Sequence, residues 1–390
     1  MRVATSTPST MAPEPGLHAV PDVADWRRRQ PEPRRRALRV WLWSIALMTL
    51  LTLVIGGITR LTRSGLSIVD WAPIMGVVPP LSEHAWEEAF AAYRAFPEYR
   101  ELRQGMSLSE FKFIFFWEYL HRLVARTIGL VFLVPFVVFA VRGYLKGPLL
   151  RRTLLLFALG GGQGLMGWFM VMSGLVDEPR VSHYRLAAHL SLAFVIFGYA
   201  VWLARELAEA ERPTRVDASA RALMRQGLAW VGGLLAVQIL WGAFVAGLKA
   251  GYYYNTFPLM AGRLVPPDFV RVQPVLLNLV ENPSAVQWVH RVVGTVLLLA
   301  TIALFVRVRR GAVDALSQRL NVVTCGLIAA QYLIGVLTLL YYVPVWLGTL
   351  HQAMAMIIVG AWLIWVHHVA RLRPAAVRLA SSHEVTAPAP

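Results

Sequence analysis

The sequence predicts an all-α membrane protein whose eight transmembrane helices form two tandem pseudo-symmetric four-helix bundles. Three observations predict it. The 390-residue chain is 57% hydrophobic and only 15% charged, and it breaks into apolar runs of spanning length near 38–59, 113–141, 153–173, 185–204, 226–247, 286–306, 320–341 and 345–369. If the N-terminus is cytoplasmic, the segments on that side carry about twice as many Lys and Arg as the loops opposite, which is the positive-inside bias and puts both termini in the cytoplasm. Finally, Trp117-Glu118-Tyr119-Leu120-His121-Arg122 returns later as Val286-Gln287-Trp288-Val289-His290-Arg291. The net charge of +16 therefore orients helices and implies no nucleic-acid partner.

Residues 1–37 are rich in Pro, Ala and Arg and are expected to be a disordered, basic cytoplasmic segment. The apolar run that follows has no small-residue cleavage signature, so it is an anchor in a membrane, most simply a bacterial inner membrane. The first half, 38–205, contains the long outer loop 60–112, with Trp71-Ala72-Pro73-Ile74 and an amphipathic helix expected at 82–96, N-capped by Ser82 with Glu83, Glu87 and Glu88 near its start. Gly161-Gly162-Gln163-Gly164-Leu165-Met166-Gly167 allows close helix approach, and Asp177 and Glu178 are expected to be plain loop charges. A polar cytoplasmic linker, 206–225, leads to the second half, 226–370, and 371–390 is expected to be a disordered tail. Trp41, Trp43, Tyr341 and Tyr342 fall near helix ends as interfacial anchors. Cys325 is the single cysteine, which excludes an intrachain disulfide and a Cys-based metal site.

The halves repeat each other in parallel orientation. Gln163 and Gly167 recur as Gln331 and Gly335, His121 as His290, His189 as His351, and Gly57 corresponds to Gly242. All four histidines lie near the outer starts of even-numbered helices, roughly 6–12 Å deep at 1.5 Å per residue. Opposed imidazoles inside a helical bundle suit a haem with two axial nitrogen ligands. One membrane histidine alone would more often be a hydrogen-bonding group; four at equivalent places point to ligation. A mononuclear zinc site fits less well, because no carboxylate joins His290 and His351. His18, His84, His183, His367, His368 and His383 lie in tails, loops or helix ends, and Met166, Met170 and Met172 read as lining. Ionisable groups in a membrane helix are costly and suggest function. Glu118 shares a helix face with His121, whereas the second half has Gln287 at that place. Arg122, Arg126 and Arg291 are candidate partners for haem propionates.

Gly57-Ile58-Thr59-Arg60-Leu61-Thr62-Arg63-Ser64-Gly65-Leu66-Ser67, the Glu118-x-x-His121-Arg122 turn, Ser182-His183-Tyr184-Arg185-Leu186-x-x-His189, His290-Arg291 and His351-Gln352 together resemble the haem A synthase family, over about 42–369. The resemblance implies an oxidoreductase that hydroxylates the C8 methyl of haem O twice, the diol then losing water to give the formyl group of haem A for a terminal cytochrome oxidase. It implies substrate haem in the first half, near His121 and His189, and a haem b cofactor held by His290 and His351. Some members carry an outer-loop cysteine pair; this chain has none, so a mechanism that needs those thiols does not operate here. Glu118 is then the expected catalytic group. Expected partners are haem O, membrane lipid, the haem O synthase, a redox partner and further copies of the chain. A di-haem electron carrier is the alternative, but it would place its haems near opposite faces and would have no use for Glu118. A transporter would need a broken helix or polar path toward the cytoplasm, and none is evident.

Overall fold

The computed structural model describes residue 27 and residues 30–69, 78–176, 181–208 and 214–374. In chain order these form α1 (Glu32–Leu61), α2 (Glu83–Arg94), α3 (Pro97–Leu102), α4 (Leu108–Val141), α5 (Gly147–Val176), α6 (His183–Leu207), β1 (Arg215–Val216), α7 (Ala218–Gly247), α8 (Asn278–Glu281), α9 (Pro283–Arg310), α10 (Ala315–Leu340), α11 (Val345–Arg371) and β2 (Arg373–Pro374). Eight of them, α1, α4, α5, α6, α7, α9, α10 and α11, are long and apolar enough to cross a membrane, the number expected. The Trp71–Ile74 motif, Asp177, Glu178, His18, His383 and the end of the chain from 375 lie outside the described residues.

The helices run past their apolar runs where capping chemistry permits. α1 begins at Glu32, with Pro33 in its first turn and Arg39 paired to Glu32 at 3.0 Å, so 32–37 is helical where disorder was expected. α4 starts at Leu108 because Ser107 and Glu110 form a capping box, which hydropathy does not detect. At 34 residues it is about 50 Å long and projects beyond a hydrocarbon core of about 30 Å. The expected linker is shortened in the same way. Residues 206–207 belong to α6, α7 begins at Ala218, and Arg215–Val216 pairs in parallel with Arg373–Pro374. That pairing also orders the start of the expected disordered tail.

α1 packs on α6 and α4, and α6 on α5; α7 packs on α9 and α11, and α11 on α10. The two sets join where α11 meets α1 and α6, and where α6 meets α7. Trp41 corrects its expected place. It is 4% exposed, its Nε1–H donates to the Val131 carbonyl at 3.0 Å and its ring lies 5.2 Å from Phe132, so it belongs to the core between α1 and α4. Trp43 points to the other side of the helix, 40% exposed, and Tyr341 and Tyr342 are also exposed.

On the long loop, Ser82 caps α2 by accepting from Ala85 N–H at 3.1 Å, as expected. Phe90 and Tyr93 of α2 pack on Phe111, Ile114 and Phe115 of α4, forming an aromatic cap over the start of that helix.

The two sets of helices approach closely at Gly247. A Cβ there would lie 2.2 Å from His183 Cβ and 2.7 Å from its Cα, so α6 and α7 must separate to admit it. Gly247→Ala is therefore expected to destabilise the protein by about 1–3 kcal/mol, read as a lower midpoint of thermal unfolding in detergent.

Candidate functional site

Each of the four histidines projects from the early part of its helix onto a glycine near the end of the helix packed beside it. Measured to a Cβ built on the glycine, Cε1 of His121 lies 2.8 Å from Gly56, that of His189 3.4 Å from Gly167, that of His290 3.1 Å from Gly242 and that of His351 2.8 Å from Gly335. A Cβ at Gly56 or Gly335 would displace the facing imidazole and one at Gly242 would crowd it, whereas at Gly167 the contact would be an ordinary one. Gly56, not Gly57, is thus the counterpart of Gly242; Gly57 instead faces the Gln352 side chain across the contact between α1 and α11. The sequence alignment missed this because the two glycines are adjacent and only their facing decides.

The histidines come together in pairs. His290 and His351 have ring centroids 6.4 Å apart. Two imidazoles sharing one metal ion, with nitrogen about 2 Å from it on each side, place their centroids about 6 Å apart. His121 and His189 lie within electrostatic range of each other. In all four the Nδ1 atom is buried with no hydrogen-bond partner. Glutamines border the sites. Gln163 Nε2 lies 3.4 Å from His189 Nε2 and donates to the His189 carbonyl at 3.1 Å; Gln331 donates to the His351 carbonyl at 2.9 Å. Gln238, which gave no sequence signal, places its amide nitrogen 3.3 Å from His290 Nε2. Among the described residues no three His, Cys, Asp or Glu side chains gather as a metal-ion site. Paired imidazoles with unpartnered nitrogens fit a haem ligated on both faces, and fit a mononuclear zinc poorly.

Glu118 is 1% exposed and both of its oxygens are engaged. Oε2 accepts from Ser67 N–H at 2.6 Å, Ser67 Oγ–H at 2.7 Å and Ile68 N–H at 2.9 Å. Oε1 pairs with Arg122 at 2.5 Å, and Arg122 also donates to the Ile68 carbonyl at 2.9 Å. The pair fastens the loop after α1 onto α4. An equivalent clamp serves the loop after α7, without a charge on the first partner. Gln287 donates to the Ala250 carbonyl at 2.7 Å and accepts from Arg291 at 2.9 Å, while Arg291 reaches the carbonyls of Tyr254 and Thr256. Arg122 and Arg291, read from sequence as propionate partners, thus hold loops in place. Arg291 Nε is buried without a partner, and Arg126 is half-buried one turn beyond Arg122.

The loop from 248 to 282 is organised by residues that sequence reasoning passed over. Asn278, fully buried, accepts from Arg271 and Val272 N–H and donates to the Val272 and Val275 carbonyls. Asn282 donates to the Asp268 and Phe269 carbonyls, and Asp268 accepts from Tyr254 and Ser284. The only available signal was the pair of amides before an apolar run, which reads as a helix start and hides its larger role.

The loop over the first pair holds another carboxylate, Glu98, 7% exposed. Burial pushes its pKa up to about 7; Arg103 opposes the shift and the charge of Glu118 adds to it. Tyr93, fully buried beside it, is also pushed up by burial.

A protein with eight membrane-length helices among its described residues and histidines paired between them is the class this arrangement defines. Residues 39–363 match COX15-CtaA, the cytochrome oxidase assembly protein family, and the chain belongs to that family. It is 42% identical over 340 residues to a heme A synthase of Parvibaculum lavamentivorans, covering 87% of this chain and 96% of that protein. It is 47% identical over 341 residues to a heme A synthase of Rhodospirillum centenum, covering 86% and 89%. A heme A synthase of Agrobacterium fabrum is 46% identical over 333 residues, covering 85% and 90%. The chain is accordingly a haem-related enzyme of haem A synthesis.

Two predictions test this geometry. Arg122→Ala leaves Glu118 buried without its countercharge and should cost roughly 3–5 kcal/mol, whereas Glu118→Gln should fold, because Gln287 already serves in the second clamp. Thermal unfolding of both variants checks the contrast. A carboxyl whose folded pKa is raised stabilises the fold when protonated, and that stability is lost as pH rises from the unfolded value of 4.5 through about 7. Relative to Glu98→Gln, the unmodified protein should lose roughly 3 kcal/mol across that window, measured as unfolding midpoints at a series of pH values.

Proposed function

We propose that this protein oxidises the C8 methyl of haem O by two successive hydroxylations, the resulting diol losing water to give the formyl group of haem A. The substrate haem sits at His121 and His189, and haem b is the cofactor of His290 and His351. The observation that carries this reading is the asymmetry of two otherwise matched clamps. Glu118 places a negative charge one turn from His121, and Gln287 places none beside His290. The relatives' name supports it. The 38–205 and 226–370 regions act as two copies of one unit, one for substrate and one for cofactor.

Oxidising a methyl carbon develops positive charge on it. In a medium of low dielectric a fixed carboxylate stabilises that charge strongly, provided it need not reorganise. Ser67, Ile68 and Arg122 hold Glu118 in place for this role, and from the same position it can take a proton from the water that attacks the oxidised carbon. Gln287 can donate a hydrogen bond but cannot act as a base. Haem b, when bound, supplies a one-electron carrier beside the substrate site. Arg291, through its remaining Nε–H, serves a propionate of the cofactor, and Arg122 and Arg126 serve those of the substrate.

The Lys and Arg asymmetry orients the protein in a bacterial inner membrane with both termini cytoplasmic and the histidine pairs toward the outer leaflet. Haem O, apolar and farnesylated, then arrives laterally from the membrane-bound haem O synthase, and a separate redox partner takes up the electrons.

Haems extracted from a host that makes haem O, with and without this protein, test the activity by chromatography and mass. An alcohol heavier by one oxygen, with the aldehyde product, is the expected result; a folded, haem-loaded protein yielding only haem b and unmodified haem O would favour an electron carrier. Glu118→Gln should bind haem and make no product, and normal haem A from that variant would remove its role. His290→Ala or His351→Ala should abolish the low-spin haem b spectrum.

A further inference from the structure

Arg185 stands in the Ser182–His189 motif and has no part in the chemistry proposed above. It is the third residue of α6 and precedes His189 by four, so the two side chains share a helix face. Arg185 lies about 6 Å nearer the start of the helix. Both side chains lean on α5. The His189 ring lies against Gly167, and the Arg185 guanidinium lies over the ring of Phe169, two residues further along, 4.4 Å from its centroid.

Within the protein itself a positive charge at this place is unfavourable. The first turn of α6 holds no acidic residue, Ser182 provides no side-chain cap, and a cation there opposes the positive end of the helix dipole. The acid nearest the start of α6 is engaged elsewhere: Glu281 accepts from Tyr184 Oη–H at 2.6 Å and lies 3.6 Å from His183 Nε2. His183 and Tyr184 turn toward Phe244 of α7, whereas Arg185 turns toward α5. Among the described residues no carboxylate pairs with Arg185. A mere membrane anchor would suit both halves equally. In the second half, however, the residue four before His351 is Leu347, which is buried, and the residue two after Gly335 is Leu337. The guanidinium stands only beside the histidine pair proposed for the substrate.

A haem at that pair brings two propionate carboxylates, which are costly to leave unpaired in a medium of low dielectric. We propose that Arg185 binds one propionate of the substrate haem from the α5 side, and so selects a porphyrin with a free carboxylate. The inference rests on the reading of His121 and His189 as the haem O site. The nearby guanidiniums of α4 are placed differently: Arg122 is held by Glu118 and the Ile68 carbonyl, and Arg126 lies one turn deeper. A guanidinium is a planar fork of five N–H donors that matches a carboxylate. Contact with Phe169 occupies the face of that fork and leaves the N–H groups at its edge for the ligand.

The experiment uses the full-length protein in membranes and compares Arg185→Gln, Arg185→Met and Arg185→Lys with the unmodified chain. Each receives haem O and, separately, the dimethyl ester of haem O, in which both propionate charges are removed. Binding is read from the absorption spectrum, haem b content is measured alongside, and KM and kcat are determined for haem A formation. The unmodified protein should bind the free acid about tenfold more tightly than the ester. Arg185→Gln and Arg185→Met should raise KM for haem O roughly tenfold with little change in kcat, keep their haem b and lose most of the preference for the acid. Arg185→Lys should retain part of that preference, since it keeps the charge without the planar fork. An undiminished preference for the acid in both uncharged variants overturns the proposal. Met keeps an apolar stem against Phe169, so a loss confined to Arg185→Gln would make Arg185 a packing residue and overturn it too. If His121→Ala and His189→Ala bind haem O as the unmodified protein does, the underlying reading of the histidine pair falls instead.

Discussion

The structure around the first histidine pair depends on a single buried ion pair, Glu118 with Arg122. Desolvating two charges is costly, and their attraction offsets the cost only when the remaining hydrogen-bonding capacity is also met. Here it is met: Ser67 and Ile68 satisfy Oε2 and Arg122 reaches the Ile68 carbonyl. Because the partners of the pair come from the loop after α1, the geometry of a membrane helix and that of an extramembrane loop are fixed by one contact. The second clamp, with Gln287, shows that such a loop can be held without a charge. Holding such a loop therefore does not require the carboxylate that the first clamp retains.

The glycines carry the other half of the design. A haem ligated on both faces needs two rings at a set separation, and rings held only by flexible side chains would lose entropy on binding. Glycine on the adjacent helix leaves room for each imidazole, tightly at Gly56, Gly242 and Gly335.

Much of this was legible in the sequence, for reasons that can be named. Hydropathy reports the eight spans because the bilayer imposes their length, and the histidine spacing survives because it sits on regular helices. Helix ends were legible only where capping chemistry was consulted: Ser82 was read, whereas Ser107 with Glu110, and Pro33, were not. The facing of Gly56 over Gly57, the inward turn of Trp41 and the amide network of Asn278 and Asn282 depend on rotation about a helix axis or on contacts between distant segments. Composition and spacing contain neither. Glu98 was invisible for the same reason, since a glutamate in a polar loop gives no sign that it will be buried.

The short pairing of Arg215–Val216 with Arg373–Pro374 joins the entry of α7 to the exit of α11. It makes a closed circuit of the α7–α11 segment at the end away from the histidines, and Arg27, ahead of α1, ties the other segment at the same end by donating to the Glu206 and Ala208 carbonyls at the exit of α6. The two segments are thus fastened at the same end by different means, a backbone pairing in one and a guanidinium on two carbonyls in the other.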